Sequence, residues 1–510
     1  MASQQTPSNA PGDIRSREVR TYRMLIGAEW RAASDGETFD SIDPYTGRAW
    51  ARVPRATTVD VDAAVRAARQ AFDSGPWPAM LPAQRARLLR NLGQLLEGQV
   101  DELTHVQVLE NGKLIREVGG QTKGLAAHCY YFAGMAESLH GQTVPVSVAD
   151  MFNYTVREPI GVVAAITPWN SPLSLLFWKL CPALAAGNTL VIKPSEITPV
   201  STLVLAELFE KAGFPPGVVN VVTGDARVGV DLVNHDGVDK IAFTGSTAAG
   251  KSVAKAAADR LARVSLELGG KSPNIIFPDA DTAGAVNGVL AGIFAATGQT
   301  CLAGSRALVH VDIMETFTAA LVEKARRIRI GDPLDPETEM GTVSCRMQYD
   351  KVMHYIEVAK AEGATLLSGG RHPPDPALAQ GLFVEPTIFG GVRNDMRIAQ
   401  EEVFGPVLCL IPFKDEDDAV RIANDTRFGL AAGVWTNDIK RAHRMTRRLR
   451  AGTVWVNTYR RTNYAMPFGG MKESGLGREN GLEAIHEYTE TKSVWIDTGG
   501  GIKDPFNPRA

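Results

Sequence analysis

Cys301 lies in a short, glycine-flanked segment between two apolar stretches of the chain. Residues 295–306 read AATGQTCLAGSR, with Gly298 and Gly304 on either side of the cysteine. In a bend of this kind, nearby backbone N–H groups can stabilise a thiolate and can also bind an oxyanion that develops during a reaction. Cys301 is therefore a candidate nucleophile. The alternative is a small buried hydrophobic residue, the commonest state of an intracellular cysteine, and only the surroundings can decide.

Other polar side chains lie where predicted parallel strands end. The continuous apolar run GVVAAIT predicts a strand buried on both faces, and Asn170 follows it. Lys193 and Glu196 end the next predicted strand, and Glu267 ends a later one before two glycines. Because the carboxyl ends of parallel strands meet at one edge of a sheet, these side chains are expected to share a ligand-binding edge. Each alone also fits a turn residue, a solvated ion pair or a surface glutamate.

The segment GSTAAGKS, which begins at Gly245, matches the phosphate-binding pattern G-x-x-x-x-G-K-[ST] between a predicted strand and a predicted helix. A P-loop NTPase therefore stays open as an alternative. Such an enzyme needs an aspartate at the end of an apolar strand to organise magnesium, and the nearest one, Asp279, comes after the strand-breaking Pro278. A corner of this kind also binds a pyrophosphate through the helix N-terminus alone. The usual dinucleotide pattern G-x-G-x-x-G follows none of the predicted strands.

The alternation of predicted strands and helices indicates two α/β domains. One series covers residues 161–268, and a second runs from residue 269 to a glycine-rich segment at residues 467–477. Two extended segments, residues 143–157 and 488–496, alternate like strands and could pair with each other. Apolar residues at helical spacing predict further helices, at residues 61–72, 82–100 and 114–135.

The composition is that of a soluble globular protein, with 44% hydrophobic and 22% charged residues and a net charge of −3. Cations and anions are interspersed, so nucleic acid is not an expected partner. No apolar run reaches the ~20 residues that span a bilayer, so no membrane is expected either. The first 20 residues predict a disordered tail rather than a secretory signal. The five cysteines form no CxxC pair, which favours a reducing, cytoplasmic location, and no histidine spacing predicts a metal.

Eight segments of the chain resemble, in order, the motif series of the NAD(P)-dependent aldehyde dehydrogenase superfamily. They are ITPWN at 166–170, VIKPSE at 191–196, FTGS at 243–246, LELGGKSP at 266–273, GQTC at 298–301, EEVFGP at 401–406, WVN at 455–457 and PFGGMKESGLGRE at 467–479. The resemblance covers about residues 25–497. It accounts for the missing glycine pattern, because the cofactor domain of that family is an atypical Rossmann fold.

The resemblance implies an α/β fold with an atypical Rossmann cofactor domain, a second α/β catalytic domain and a small β oligomerisation arm. The disordered tail would occupy residues 1–20. The expected divisions are an NAD-binding domain of residues 21–138 and 160–268, a catalytic domain of residues 269–478, and an arm of residues 139–159 and 479–498. The arm implies a homodimer or a homotetramer, and the expected partner is a small-molecule aldehyde.

The resemblance also implies a mechanism. Cys301 would attack the aldehyde to form a thiohemiacetal, while the side-chain amide of Asn170 and the Cys301 N–H hold the oxyanion. Loss of hydride to the nicotinamide would leave a thioester, which Glu267 would hydrolyse as general base. Lys179 and Glu479 match positions that pass the proton onward.

Cofactor positions follow from the same motifs. A carboxylate at Glu196 would repel a 2′-phosphate, so NAD is favoured over NADP, although Lys193 could soften that preference. NADP therefore stays possible. The matching positions are Ile166, Thr167, Trp169, Lys193, Ser195, Glu196, Gly224, Phe243, Gly245, Ser246, Leu268, Glu402 and Phe404.

The substrate pocket is the part that departs from the family pattern. Its expected residues are Ser171, Leu175, Trp178, Leu302, Arg460, Thr462 and Phe468. Arg460 and Arg461, in YRRTNYA, stand where many relatives carry neutral or acidic residues. One hypothesis is that either arginine meets an anionic group of the substrate, which would then be a semialdehyde or a carboxylated aldehyde. The alternative is an ion pair at the surface or at a subunit interface.

Three other functions stay open besides the NTPase. A CoA-acylating dehydrogenase would pass the thioester to CoA, but such enzymes commonly lack a base like Glu267. A thiol hydrolase would need a histidine partner, and none of the eight motifs contains one. A non-catalytic relative would not need Cys301, Glu267 and Asn170 together. Hydrolytic, NAD-dependent oxidation of an aldehyde is the function that the sequence favours.

Overall fold

The structure is a computed structural model that describes residue 15, residues 18–499, residues 501 and 502, and residues 505–507. Most of the predicted tail, residues 1–14, 16 and 17, lies outside the described residues. Arg15 is described, and its guanidinium forms ion pairs with Asp43, at 2.8 Å, and with Asp332. None of the helices within the described ranges is both long enough and apolar enough to cross a membrane.

The helices of four or more residues are numbered in chain order. They are α1 (Thr58–Asp73), α2 (Pro82–Glu97), α3 (Val100–Asn111), α4 (Ile115–Lys123), α5 (Leu125–Ala136), α6 (Pro172–Ala186), α7 (Val200–Ala212), α8 (Ala226–Asn234), α9 (Thr247–Ala258), α10 (Thr282–Ile293), α11 (Met314–Ala325), α12 (Arg346–Ala361), α13 (Arg397–Gln400), α14 (Glu416–Asn424), α15 (Ile439–Arg448) and α16 (Gly481–His486). The helical stretch predicted at residues 114–135 consists of two helices, α4 and α5, which meet at Gly124.

The strands are numbered in the same way. They are β1 (Arg20–Thr21), β2 (Met24–Ile26), β3 (Glu29–Arg31), β4 (Thr38–Asp43), β5 (Arg48–Pro54), β6 (Met151–Pro159), β7 (Val162–Ile166), β8 (Thr189–Lys193), β9 (Val219–Val221), β10 (Lys240–Thr244), β11 (Arg263–Glu267), β12 (Pro273–Ile276), β13 (Arg306–His310), β14 (Thr365–Ser368), β15 (Thr387–Gly390), β16 (Val407–Phe413), β17 (Phe428–Gly429), β18 (Ala431–Trp435), β19 (Thr453–Val456), β20 (Met471–Lys472), β21 (Gly475–Leu476) and β22 (Thr489–Asp497).

An eight-stranded sheet forms around the first predicted series, in the order β21-β11-β10-β7-β8-β9-β2-β3. The strands from β11 to β9 are parallel, and β7, β8 and β10 are buried on both faces by the helices between them. That double burial explains why these strands read as unbroken apolar runs in the sequence. The short strand β21 comes from near the end of the chain and pairs antiparallel with β11.

The second series forms a seven-stranded sheet in the order β14-β15-β16-β13-β12-β18-β19. All its pairs are parallel except β14 with β15. The mixed α/β architecture that the sequence predicted is confirmed. Cys301 lies between α10 and β13, so the candidate nucleophile belongs to the second sheet, while Asn170 and Glu267 follow or end strands of the first.

A two-stranded ribbon joins β6 and β22, which pair antiparallel along their whole length, from Thr489 opposite Pro159 to Asp497 opposite Met151. The predicted pairing of the two extended segments is therefore confirmed. The strand within the first segment begins only at Met151, and Thr143 folds back to bridge Tyr154. Several large apolar side chains of the ribbon are exposed, among them Phe152 and Trp495.

A buried carboxyl group fastens the end of α3 to the start of α7. Glu110 is fully buried, and its carboxyl accepts hydrogen bonds from the backbone N–H of Val200, at 2.9 Å, and from the N–H and hydroxyl of Ser201. These bonds satisfy amide groups that the first turn of α7 leaves without helical partners. Burial raises the pKa of Glu110 to about 8, against the lowering effect of those bonds.

This carboxyl group is expected to make the stability of the protein depend on pH. The unfolded chain releases the proton of Glu110 near its ordinary pKa of 4.5, whereas the folded protein keeps it until about pH 8. The unfolded state therefore binds fewer protons in this window, and stability falls as the pH rises through it. The free energy of unfolding can be measured by urea titration at several pH values between 4.5 and about 8. In Glu110→Gln it should decrease less steeply with pH than in the wild type. Glu210→Gln, at an exposed site of α7, is the control and should keep the wild-type slope; an unchanged slope in Glu110→Gln would contradict the prediction.

Candidate active site

The segment before Cys301 adopts an unusual backbone conformation. Ala296, Thr297 and Gly298 have φ values of 53°, 55° and 70°, all in the left-handed region. Two of these residues are not glycine, and the left-handed conformation costs a non-glycine residue about 1–3 kcal/mol. The surrounding contacts must therefore hold the bend in place. Gly298 cannot be replaced easily, because a Cβ there would lie 2.1 Å from the carbonyl oxygen of Gly405. The bend presses the chain against that carbonyl and so fixes the start of the loop that carries Cys301.

Side chains from other elements hold this loop in place. The Ala296 N–H donates to Glu117 of α4 at 2.8 Å. The Gln299 side chain donates to the Thr342 carbonyl and accepts from the Ser344 N–H. These contacts fix the loop from two directions, and buried bonds of this kind stabilise it against the backbone strain.

Asn170 connects the loop to the first sheet. Its Nδ2 donates to the Gln299 carbonyl at 3.0 Å, and the side chain is almost fully buried. An amide nitrogen has two hydrogens, so this bond leaves one donor beside Cys301. The geometry therefore suits an oxyanion site made by the Asn170 amide and the backbone N–H of Cys301.

The surroundings of Cys301 favour its protonated thiol over the thiolate. Its pKa is raised well above the ordinary value, first by burial and then by the negative charges of Glu267 and Glu402. The N–H groups of Leu302 and of Cys301 itself lower it, as the glycine-flanked bend led us to expect, but burial outweighs them. Formation of the nucleophilic thiolate therefore requires a base or the approach of a positive charge.

Glu267 ends β11 and lies in the same cavity as Cys301. Its side chain is buried, and neither carboxylate oxygen has a hydrogen-bond partner among the described residues. Burial raises its pKa well above the ordinary value, the charge of Glu479 adds to the rise, and Lys179 opposes it. A carboxyl group with a raised pKa and free oxygens is suited to take a proton from water near neutral pH.

Lys179 and Glu479 form a buried ion pair near Glu267. Lys179 lies on α6 and also donates to the Thr244 hydroxyl at 2.6 Å, whereas Glu479 lies 300 residues further along the chain. One oxygen of Glu479 has no partner within the described part of the chain. Both groups predicted to pass a proton onward are therefore brought together beside the candidate base.

One cavity of about 790 Å³ connects the three candidate catalytic residues with the predicted cofactor positions. Cys301, Glu267 and Asn170 all line it. The wall also contains every predicted cofactor residue except Gly224, namely Ile166, Thr167, Trp169, Lys193, Ser195, Glu196, Phe243, Gly245, Ser246, Leu268, Glu402 and Phe404. Gly224 does not line the cavity, and a Cβ at this position would lie 2.5 Å from the Val228 side chain.

Two features of the wall suit a dinucleotide. Ser246 caps the N-terminus of α9 by accepting from the Ala249 N–H, so that the positive end of the helix opens into the cavity. At the other end, Glu402 accepts from the Gly270 N–H at 2.9 Å, and a Cβ on Gly269 would lie 2.4 Å from its carboxylate. Because Gly269 has no Cβ, the Glu402 carboxylate can lie close to the backbone at this position.

Asp279, the aspartate that the P-loop alternative would need for magnesium, is bound by other residues. The Asp279 carboxylate accepts from the Thr436 hydroxyl and from the N–H groups of Asn437 and Asp438, and it pairs with Arg441 at 2.7 Å. It is therefore committed to the loop before α15, and it does not line the cavity at Ser246. Among the described residues, no group of three or more His, Cys, Asp and Glu is placed to hold a metal ion.

Several residues that line the cavity from α12 were not among those predicted from the sequence. Met347, Gln348 and Lys351 belong to it, and Gln348 donates to the carbonyls of Val403 and Phe404. Phe404 in turn packs edge-to-face on Trp169 at 5.2 Å. The spacing of α12 is that of an ordinary amphipathic helix, so no local pattern could have found these residues.

The predicted substrate residues divide into buried and exposed groups. Leu175, Trp178, Leu302 and Phe468 are buried, and Trp178 packs on Phe468 with ring centroids 5.2 Å apart. Thr462 is exposed. The buried group forms an apolar wall close to Cys301, which itself packs against this cluster.

Ser171 has a partner that the sequence did not indicate. The Lys113 Nζ, fully buried, donates to the Ser171 hydroxyl at 2.9 Å and to Gln121 at 3.3 Å. Burial lowers the pKa of Lys113 to about 8. No carboxylate lies within 4 Å of this ammonium in the described ranges. The charge of Glu117 opposes this lowering, so the ammonium beside the predicted substrate position has a carboxylate in its surroundings.

Arg460 lines a second opening of about 750 Å³, together with Glu117, Gln121, Ala295 and Arg461. Its Nη1 donates to the carbonyls of Ala291 and Ala295, at 3.0 and 2.8 Å, which precede the Cys301 loop. No ion pair of Arg460 occurs within the described part of this chain. The guanidinium is thus anchored by one nitrogen to the residues that precede the Cys301 loop, in an opening that Cys301 itself does not line.

The comparisons with known proteins agree with this architecture. The model of the aldehyde dehydrogenase family matches residues 30–494. An aldehyde dehydrogenase from Aspergillus niger is 45% identical over 482 residues, which cover 94% of this chain and 96% of that protein. Among solved structures, the NAD⁺ complex of an aldehyde dehydrogenase from Bacillus cereus is 45% identical, with a TM-score of 0.92 over 95% of this chain and 98% of that one.

A betaine aldehyde dehydrogenase from Staphylococcus aureus, solved in complex with NAD⁺, is 40% identical. Its TM-score is 0.94, and the match covers 95% of this chain and 96% of that one. The chain belongs to the aldehyde dehydrogenase family. It is accordingly an oxidoreductase that acts on small-molecule aldehydes.

Proposed function

We propose that this enzyme oxidises an aldehyde to the carboxylic acid with NAD, through a thioester on Cys301 that water hydrolyses. The observation that carries the proposal is the shared cavity, in which Cys301, Glu267 and Asn170 lie beside the residues suited to a dinucleotide. The residues that would hold NAD are Lys193 and Glu196 toward the adenosine ribose, the α9 N-terminus at Ser246 toward the pyrophosphate, and Glu402 toward the nicotinamide ribose. When bound, NAD supplies the hydride acceptor.

Each residue has a defined task in this proposal. The Cys301 thiol releases its proton to solvent water, the sulfur bonds to the carbonyl carbon, and the carbonyl electron pair moves to the oxygen, which the Asn170 amide holds. After hydride loss, water adds its hydroxyl to the acyl carbon of the thioester while its proton goes to Glu267. The carbon–sulfur bond then breaks, and the electron pair returns to Cys301. The free carboxylate oxygens of Glu267 favour this hydrolysis over transfer to CoA.

Glu196 supports the choice of NAD over NADP. Its side chain is 46% exposed and lies 3.8 Å from the Lys193 ammonium. A carboxylate in this place accepts two ribose hydroxyls but repels a phosphate. Absorbance of NADH or NADPH with a panel of aldehydes tests both the reaction and the preference. No reduction of either cofactor by any aldehyde would overturn the proposal, as would hydrolysis of ATP at Gly245–Ser252.

For the substrate, we propose an aldehyde that carries a carboxylate. Arg460 keeps guanidinium donors free of carbonyl bonds next to the residues that precede the Cys301 loop, and its charge interacts with Cys301. The Lys113 ammonium donates to the Ser171 hydroxyl. Arginine keeps its charge in proteins, and it binds carboxylates with two parallel hydrogen bonds. A cationic aldehyde such as betaine aldehyde would meet repulsion from these groups.

Replacing Arg460 with alanine is expected to raise KM for carboxylated aldehydes by about 10- to 100-fold, because a charge-assisted hydrogen bond is worth about 1.5–3 kcal/mol. KM for neutral aldehydes should stay within about twofold. Steady-state kinetics with matched neutral and carboxylated aldehydes measure the difference, and Arg447→Ala, on the surface helix α15, serves as the charge control. Equal effects on both substrate classes would show that Arg460 does not contact the substrate and only stabilises the loop that carries Cys301.

We further propose that the enzyme is a homo-oligomer joined through the β6–β22 ribbon. The chain near Thr143 covers part of the outer edge of β6, but the outer edge of β22 pairs with no other strand of the described residues, and the exposed Phe152 and Trp495 lie on the ribbon. Such edges pair readily with a second chain.

A further inference from the structure

A single tyrosine ring lies in a close-fitting socket beside the Cys301 loop. Tyr459 is buried, and three glycines from separate parts of the chain make room for its ring. A Cβ would lie 2.6 Å from the ring on Gly433, 3.0 Å from it on Gly304 and 3.2 Å from it on Gly292. Gly433 belongs to β18, Gly292 to α10, and Gly304 to the Cys301 loop itself. Contact on three sides leaves the ring little room to move, so the position of its hydroxyl is fixed.

The Cys301 loop makes a β-turn at the candidate nucleophile. The Ala303 N–H donates to the Thr300 carbonyl at 3.0 Å, so Cys301 and Leu302 are the two corner residues of the turn. The hydrogen bond of the turn does not use the N–H groups of these corner residues, and both groups lower the pKa of the Cys301 thiol. The Cys301 N–H is also the backbone donor of the oxyanion site. The orientation of the turn therefore matters to both the sulfur and the oxyanion.

The Tyr459 hydroxyl holds this turn from outside. It donates to the Leu302 carbonyl at 3.1 Å. That carbonyl and the Ala303 N–H belong to one planar peptide group, which is thus hydrogen-bonded at both ends. Ser272, which lies between β11 and β12, forms a second side-chain hydrogen bond with the tyrosine. One hydroxyl therefore joins the turn that carries the nucleophile to the segment that follows the candidate base at the end of β11.

The segment that contains the tyrosine is itself held firmly. The Trp455 ring packs on Tyr459 with centroids 4.8 Å apart, and its Nε1 donates to the Arg461 carbonyl at 2.9 Å. Arg460 has a φ of 62°, and its guanidinium donates to carbonyls that precede the Cys301 loop. Neighbouring residues thus hold the loop on both sides of the cysteine, the arginine before it and the tyrosine after it.

We propose that Tyr459 is a positioning residue for the reaction, whose hydroxyl sets the orientation of the N–H groups of Cys301 and Leu302. The inference rests on the proposed function, in which Cys301 is the nucleophile and its N–H holds the oxyanion. Without the hydroxyl, the peptide group after Leu302 is held at one end only, and the turn can rotate away from the sulfur and the aldehyde oxygen. The first chemical step then slows. Binding of NAD does not change, because Tyr459 does not line the cavity with the predicted cofactor positions.

Tyr459→Phe tests this role, because it removes the hydroxyl and keeps the ring in its socket. The rate at which iodoacetamide alkylates Cys301, measured over a pH series by mass spectrometry of its peptide, reports the thiolate. The profile of the variant should move to higher pH by roughly 0.5–1 pH unit, because the N–H groups no longer point at the sulfur. The charged groups that act on this thiol remain in the variant and are Glu267, Glu402, Lys113 and Arg460.

Kinetics with NAD and an aldehyde supply a second measurement. In rapid-mixing experiments, the rate of the NADH burst should fall by roughly three- to tenfold in Tyr459→Phe, the value of one hydrogen bond. The Kd for NAD, measured by quenching of tryptophan fluorescence, should equal that of the wild type. Ser272→Ala removes the other partner of the hydroxyl and should shift the alkylation profile in the same direction by less. Tyr22→Phe, in the core of the first sheet, is the matched control and should leave all three quantities unchanged.

A wild-type alkylation profile in Tyr459→Phe would overturn the proposal. If that variant does not fold, a wild-type profile in Ser272→Ala would do so. A burst rate and an NAD affinity that decline together would also overturn it, because that result points to a general loss of structure. Alkylation needs neither NAD nor an aldehyde, so it tests the turn even if the wild-type protein forms no NADH with any aldehyde, a result that would overturn the proposed function instead.

Discussion

Cys301→Ala is expected to lower aldehyde-dependent NADH formation by about 10⁴-fold or more, because no covalent intermediate can then form. The Cys301 sulfur is the only thiol on the wall of the cavity among the described residues. The measurement is NADH absorbance in steady state, together with mass spectrometry of the protein after mixing with substrate and NAD. The wild-type protein should show a transient acyl adduct, and the variant none.

Cys409→Ser is the matched control for this experiment. Cys409 is buried in the second sheet, and its sulfur donates to the Ile398 carbonyl at 3.4 Å, a bond that a serine hydroxyl can replace. Its activity should stay near that of the wild type. Substantial NADH formation by Cys301→Ala would show that another residue is the nucleophile.

Glu267→Gln is expected to stop the cycle after its first half. One NADH per active site should form in a burst, and steady-state turnover should then fall by about 10²- to 10⁴-fold, because no base activates the hydrolytic water. The raised pKa of Glu267 adds a pH signature. Its basic form exists only above that raised pKa, so wild-type turnover should increase as the pH rises toward it, and the variant should lose this dependence.

Rapid-mixing absorbance at several pH values separates the burst from turnover. Glu110→Gln replaces a buried glutamate that does not line the cavity and should leave both phases unchanged. If the burst disappears in Glu267→Gln, then Glu267 acts before hydride transfer, for example as the base that forms the thiolate of Cys301.

The parts of the site that follow strands could be predicted from the sequence. Asn170 and Glu267 come next to unbroken apolar runs, and parallel strands place their carboxyl ends at one edge, so local pattern was enough to bring these residues together. The ribbon of β6 and β22 was predictable for a similar reason, because alternation marks both strands.

The residues that support the site could not be predicted in this way. Lys113 lies in the loop between α3 and α4, and Gln348 lies on α12, whose periodicity is satisfied by packing alone. The roles of both depend on contacts far along the chain. The left-handed backbone conformation of Ala296 and Thr297 could not be predicted either, since neither residue type favours it. Such strain is imposed by tertiary contacts, and local sequence preference does not record it.

The strand β21 has a consequence for how the protein is made. It adds residues 475–476 to the edge of the first sheet beside β11, and the Asn188 side chain also donates to the carbonyl of Tyr488 at 2.9 Å. The sheet that contains β2 therefore stays incomplete until residues 475 and 476 have left the ribosome. Until then the nascent chain presents β11 as an open edge, and an open edge of this kind is a site at which neighbouring chains can pair.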